Sequence, residues 1–231
     1  MATAVIFEDQ LRIPAIATLS DFRRWALSDS FPDRGRIDFV AGEIEVDMSP
    51  ENLFFHGTLK SRICATLVEI VQEQELCYLF SDCTRISSVP GNVSAEPDVV
   101  FLSDDAIDTG RVTLVSTSSG EQDGYVEIEG PPDLIVEIVS DSSVKKDTER
   151  LPAAYFAAGI PEFWLVDARP KTINQHGELQ FQIYHRGKTS YQPAVVESAG
   201  FQSSAVLNRK FRLERFTNSK GRPAYTLHVM R

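Results

Sequence analysis

No stretch of these 231 residues approaches the ~18 continuous apolar positions that a membrane-spanning helix needs. Cysteine is scarce. Cys64, Cys77 and Cys83 form an odd set without a Cys-x-x-Cys pair, which argues against a disulfide frame and a zinc site. Such usage suits a reducing compartment. The first 22 residues lack a basic start followed by an apolar run, so no secretory leader is expected and the cytoplasm is the expected location. Positive charge is also short, since 23 basic against 33 acidic residues leave a net charge of −10. A protein that grips nucleic acid by phosphate neutralisation alone usually carries the opposite sign. Any such function must therefore rest on a local basic surface or on an acidic, metal-filled cleft. The Gly-x-Gly-x-x-Gly fingerprint, the P-loop and the Gly-x-Ser-x-Gly elbow are all missing, and no repeat or low-complexity segment occurs.

What remains is ordinary globular composition, 42% hydrophobic and 24% charged, of a length that favours one domain over residues 1–231. A short helix over SDFRRWALSD, capped by Thr18 or Ser20, turns Phe22, Trp25 and Leu27 toward a core. A turn-rich connector leads to a hairpin over residues 36–50 around Ala41-Gly42. From Glu51 to about Gln74 the period becomes helical, with His56, Leu59, Lys60, Ile63, Leu67 and Ile70 on one stripe. Residues 76–88 read as one strand, Pro90-Gly91-Asn92 as a turn, and 97–102 as a second strand. Residues 103–130 are polar and read as an insertion or mobile loop. The continuous apolar run DLIVEIV (133–139) is the strongest strand signal. A helix over about 148–158 follows, ended by Gly159 and Pro161, and then a strand at 162–167. Beyond Asp167 the pattern is strand and turn throughout, a β-rich extension over about 171–231. Strand–helix–strand over 133–167 predicts a mixed α/β core.

The chemistry centres on acids. Glu137 stands in a run that reads as a buried strand, where an ionised carboxylate costs several kcal/mol unless paired or coordinated. Asp98 follows Pro97 at a strand entrance. Two adjacent strands, each with an acid near one end, can aim both at one Mg²⁺. Asp133 shares a face with Glu137 but lies about 13 Å away along the strand, too far for one ion. The place for a catalytic cation, two residues beyond Glu137, is Val139. Lys145, Lys146 and Arg150 are the nearest basic side chains. His56 lies in the helical stripe with Lys60 one turn later. His176, His185 and His228 lack ligand-like spacing.

Five strings carry a resemblance: AGEIEVDMSP (41–50), His56 on the next helix, EPDVVF (96–101), PPDLIVEIVSDSS (131–143), and Asp147 followed by AYFAAGIPEFWLVD (154–167). In this order they are similar to the Uma2 family, restriction-endonuclease-like proteins of the PD-(D/E)XK nuclease superfamily. The likeness runs from about Leu19 to Asp167 and extends to the C-terminal motif KFRLERF…GRPAYTL. It implies an α/β (α+β) restriction-endonuclease-like core over about 19–167, with a central mixed sheet flanked by helices. It also implies Asp98 and Glu137 as ligands of Mg²⁺ (or Mn²⁺), His56 and Glu43 as matching family positions, DNA as partner, and a homodimer. The family lysine falls at Leu151 here, four residues before Tyr155. Lys146 or Arg150 is then expected to substitute. The leading expectation is a Mg²⁺-dependent endonuclease with Asp98, Glu137, Lys146, Arg150 and His56 in the site. A catalytically silent dimeric binding module and a small-phosphoester hydrolase are the alternatives.

Overall fold

The computed structural model describes residues 12–74, 77–117 and 121–231. The first eleven, read above as carrying no leader, lie outside them. The central sheet has the order β12 (Tyr191–Pro193), β11 (Gln180–Arg186), β10 (Glu162–Asp167), β9 (Leu134–Ile138), β6 (Val99–Ser103), β3 (Cys77–Ser81). β9 and β10 run parallel, joined through helix α4 (Leu151–Ala158), and the other pairs are antiparallel. Strand–helix–strand in the sequence thus becomes the mixed core that was expected. A second sheet orders β2 (Glu43–Asp47), β1 (Arg36–Val40), β5 (Val93–Ala95), β4 (Arg85–Ser88), β8 (Tyr125–Glu129), β7 (Thr113–Ser116). A third holds β13 (Gln202–Ser204), β14 (Arg209–Thr217) and β15 (Pro223–Met230).

The continuous apolar run of β9 follows from burial on both faces. Leu134, Val136 and Ile138 face Leu59, Ile63, Leu67 and Ile70 of helix α2 (Thr58–Gln74), together with Phe211, Tyr225 and Leu227 of the third sheet. Ile135 faces Leu151, Ala154 and Tyr155 of α4 and the second sheet. The C-terminal strands therefore share one hydrophobic core with α2 and the central sheet. Gly159 ends α4 at φ +97°, and a Cβ on Gly91 would meet Ala154 O at 2.7 Å, so that turn can approach α4 only as glycine. Helix α1 (Leu19–Ala26) is capped by Thr18 and buries Phe22 and Trp25 against Ile37 and Phe39.

Three local expectations change. Leu27 is the C-cap of α1 and only half-buried, while Leu19 takes the core position. The strand expected over 76–88 is two strands in different sheets. Asp82 and Cys83, both at positive φ, turn the chain between them. Residues 103–130 are neither insertion nor loose loop among the described residues. Helix α3 (Asp104–Asp108), β7 and β8 occupy them, and Glu127 is buried beneath the Arg23 guanidinium. A polar segment reads as a loop when its buried apolar residues, Ala106, Val112 and Ile128, are too sparse for a periodic signal.

Glu162 anchors the third sheet to the second-last strand pair of the core. Its Oε1 accepts the Trp164 indole N–H at 2.7 Å, and its Oε2 accepts the Ala205 and Val206 N–H groups at 2.8 and 3.2 Å. Glu162→Leu leaves the buried Trp164 indole N–H unpaired and removes the acceptor of the Ala205 and Val206 N–H groups. We expect a loss of about 3 kcal/mol or more in urea unfolding. A loss below about 1 kcal/mol, the net worth of one ordinary hydrogen bond, would show that the carboxylate is dispensable.

Candidate metal centre

The β6–β9 register pairs Val99 with Val136, Val100 with Ile135 and Phe101 with Leu134. The next rung along this antiparallel ladder falls at Asp98 and Glu137, so both acids stand at the same end of adjacent central strands. By the period of two, both belong to the face that carries Val100 and Ile135. Asp98 lies in the three-residue connector between β5 and β6, where the chain crosses from the second sheet to the central one.

Each acid has a different environment. Asp98 is fully buried and accepts the Ile138 N–H at 2.7 Å and Arg36 Nη2 at 3.1 Å. His56 Nε2 is 3.3 Å from its Oδ2, and Lys60 Nζ is 3.7 Å from its Oδ1. Burial opposes its charge, but His56, Arg36 and Lys60 outweigh that cost and hold Asp98 well below the usual carboxylate range. Glu137, equally buried, receives the Tyr155 hydroxyl on Oε1 at 2.5 Å. Burial, then the charges of Asp98 and Asp147, push it well above the ordinary glutamate value. Asp147 is raised by burial to about 6. Its Oδ2 accepts the Ser143 hydroxyl, while its Oδ1 is buried with no partner.

Lys146 turns inward from the wide π-type turn Lys146–Arg150 that precedes α4. Its Nζ donates to Asp38 Oδ2 at 2.7 Å, and Asp38 Oδ1 accepts the Glu96 N–H at 3.0 Å. Burial lowers the Lys146 pKa, yet the charges of Asp38, Asp147 and Glu137 outweigh it, and the ammonium is kept. On the other flank, Glu51 Oε1 is 2.5 Å from His56 Nδ1 and 2.5 Å from Lys60 Nζ. Glu51, His56 and Asp98 each offer a ligand atom within 4.8 Å of one another.

Asp98, Glu137, His56 and Lys146 thus come together around one cluster. Arg150 does not join it. Its guanidinium forks onto Glu43 Oε2 at 3.1 Å, Glu45 Oε1 and Val40 O, fastening the turn to the β1–β2 hairpin. Glu43 is exposed at that hairpin, and Lys145 is exposed too. Leu151 is packed in the core beside Ala154 and Tyr155. Asp133 lies at the opposite end of β9, bound by Ser103 and Arg111. Sequence reasoning missed Arg36, Asp38 and Glu51. The alternation Arg-Ile-Asp on a hairpin strand signals solvent-facing polar residues, yet β1 is central between β2 and β5 and all but Arg36 are buried.

Burial and the charge of Asp98 raise the proton affinity of Glu137 and Asp147, and Asp147 keeps one orphaned buried oxygen, an arrangement that a bound cation would relieve. Hard carboxylate oxygens suit Mg²⁺, and the added imidazole also suits Mn²⁺. The residues present therefore fit a divalent ion. Beside them a cleft of about 860 Å³ is lined by Arg36, Glu51 and His56 together with Val139–Ser142 and Arg169.

Comparison with solved structures finds the same fold in a crystal structure described as a putative nuclease belonging to DUF820 from Anabaena variabilis ATCC 29413. That chain is 16% identical, with a TM-score of 0.55 over 84% of this chain and 92% of its own. No curated protein matches. Among described residues no helix is long and apolar enough to cross a membrane. A family model described as "Putative restriction endonuclease" matches residues 19–214. That span holds the paired strand-end acids, the inward lysine and the tyrosine on Glu137: the chain belongs to the Uma2 family.

Proposed function

We propose that this protein is a Mg²⁺-dependent endonuclease that hydrolyses DNA phosphodiester bonds in the cytoplasm, as a homodimer. The observation that carries the reading is the joint burial of Asp98 and Glu137 on one rung of β6 and β9, with an ammonium folded back beside them. Asp98 and Glu137 would hold the ion, with Glu51, His56 or the free Oδ1 of Asp147 completing its protein ligands. When bound, such an ion polarises a phosphoryl oxygen and makes water a better nucleophile at neutral pH.

The chain's own groups do the rest. Tyr155 fixes the Glu137 carboxyl in one orientation. Arg36 and His56 keep Asp98 anionic, so one acid in the pair is always charged. Lys146 substitutes for the lysine absent at Val139 and Leu151. From Asp38 it can orient the attacking water or meet charge developing on the phosphoryl group.

The test is conversion of supercoiled plasmid to open circle by the purified protein with Mg²⁺, with Mn²⁺ and with chelator. Nicking that needs the ion is the expected result. A folded protein that nicks nothing under either ion would sink the nuclease reading and leave the silent binding module. Hydrolysis of a small phosphodiester without nicking would instead indicate a phosphohydrolase.

A further inference from the structure

Beyond β10 the chain builds a second feature on the same cleft, which the catalytic cluster does not use. Arg169 is buried, and its guanidinium is clamped on Asp167, with Nε to Oδ1 at 2.9 Å and Nη2 to Oδ2 at 2.6 Å. Asp167 is itself fixed by the Arg169 N–H and the Thr172 hydroxyl. The remaining nitrogen, Nη1, is 3.4 Å from Asp141 Oδ1. Lys171 Nζ reaches the same oxygen at 2.7 Å. Two cations thus converge on one carboxylate oxygen, and the Asp141 side chain is 75% exposed. Asp141 and Arg169 both line the cleft that His56 and Glu51 face.

A rigidly held guanidinium with one free end is the usual means of gripping a phosphate oxygen. An exposed aspartate between two cations gives up its place at little cost, because exposed ion pairs contribute little. We propose that Arg169 and Lys171 form a seat for a non-scissile phosphate of the nucleic-acid strand, and that Asp141 occupies this seat until the phosphate displaces it. The seat rests on the nuclease reading above and adds to it a second point of strand contact. It also accounts for how an acidic protein can hold a polyanion, since the carboxylate that would repel the strand withdraws from two cations as the strand enters.

The experiment is binding of a short fluorescein-labelled DNA duplex over a salt series, with Ca²⁺ in place of Mg²⁺, for the full chain and four variants. Arg169→Lys keeps the charge and a partner for Asp167 but loses the fork. It should weaken binding about tenfold and lower the salt slope by about one phosphate contact. Asp141→Asn should tighten binding several-fold more than Asp108→Asn, a charge control on α3. The gain should vanish in the Asp141→Asn/Arg169→Lys double variant, the signature of coupled residues. Thermal melting confirms that each variant is folded. Wild-type affinity and slope in Arg169→Lys, or an Asp141→Asn gain that survives in the double variant, overturns the seat and leaves the nuclease reading standing. Failure of the unaltered protein both to bind and to nick DNA overturns both.

Discussion

Asp98→Ala and Glu137→Ala should each reduce metal-dependent plasmid nicking by at least about 10³-fold, beyond the roughly 10–100-fold that loss of an outer-shell partner costs. The expectation follows from the rung they share: neither carboxylate alone offers the paired oxygens a divalent ion needs, so the double variant should be no worse than either single one. Folding separates the two. Burial and the nearby acids raise the Glu137 pKa well above the ordinary glutamate value, which favours its protonated form when no ion is bound. Glu137→Gln is then nearly isosteric with the native state and should melt no lower than wild type in chelator. Added Mg²⁺ should raise the melting temperature of wild type and not of Glu137→Gln. The pH dependence has a fixed sign. Asp147 is raised from 3.8 to about 6, so it favours the folded state most at low pH, and that contribution is lost as pH rises through about 6. Ion binding needs ionised carboxylates, and should tighten as pH rises. Wild-type nicking by Glu137→Ala would remove Glu137 from the centre altogether.

The second large effect concerns Lys146. Its replacement by methionine should lower the cleavage rate about 10²–10³-fold, the range for removing one preorganised charge-stabilising donor. Lys145→Met, on the exposed neighbour, should change the rate less than twofold, within the small effects of surface substitution. Removing Lys146 also strands Asp38, a buried carboxylate, at a cost of about 3–5 kcal/mol. The Lys146→Met/Asp38→Asn variant restores the balance of charge and should fold while remaining inactive. An active double variant would reduce Lys146 to a structural partner of Asp38. Arg150→Met, by contrast, should loosen the hairpin and leave the rate of folded protein close to wild type.

Glu137 is conspicuous in the sequence because an acid inside an apolar run is costly, and Asp98 gains meaning from it. The parallel unit from β9 to β10 and the stripe on α2 follow directly from periodicity. The signals fail where tertiary neighbours decide. Nothing local distinguishes a hairpin strand at a sheet edge from one with partners on both sides, so the part Arg36 and Asp38 play in the centre is not legible in the hairpin. Nothing in CYLFSDCTRISS marks the left-handed pair Asp82-Cys83 that sends its two halves to different sheets. Lys146 could be narrowed only to a group with Lys145 and Arg150, because a π-type turn rotates successive side chains away from regular helical phase.

The centre draws Arg36 and Asp38 from the second sheet, His56 from the π-type turn Leu53–Gly57, Lys60 from α2, and Glu137, Lys146 and Tyr155 from the β9–α4 unit, with Asp98 on the link between the sheets. During synthesis these pieces leave the ribosome in order, the last of them after two-thirds of the chain is made. Contacts of such sequence separation form late. A nascent or prematurely terminated chain that stops before Glu137 therefore carries Arg36, Asp38, His56 and Asp98 without the acid, lysine and tyrosine they meet, and under the proposed function it cannot cut.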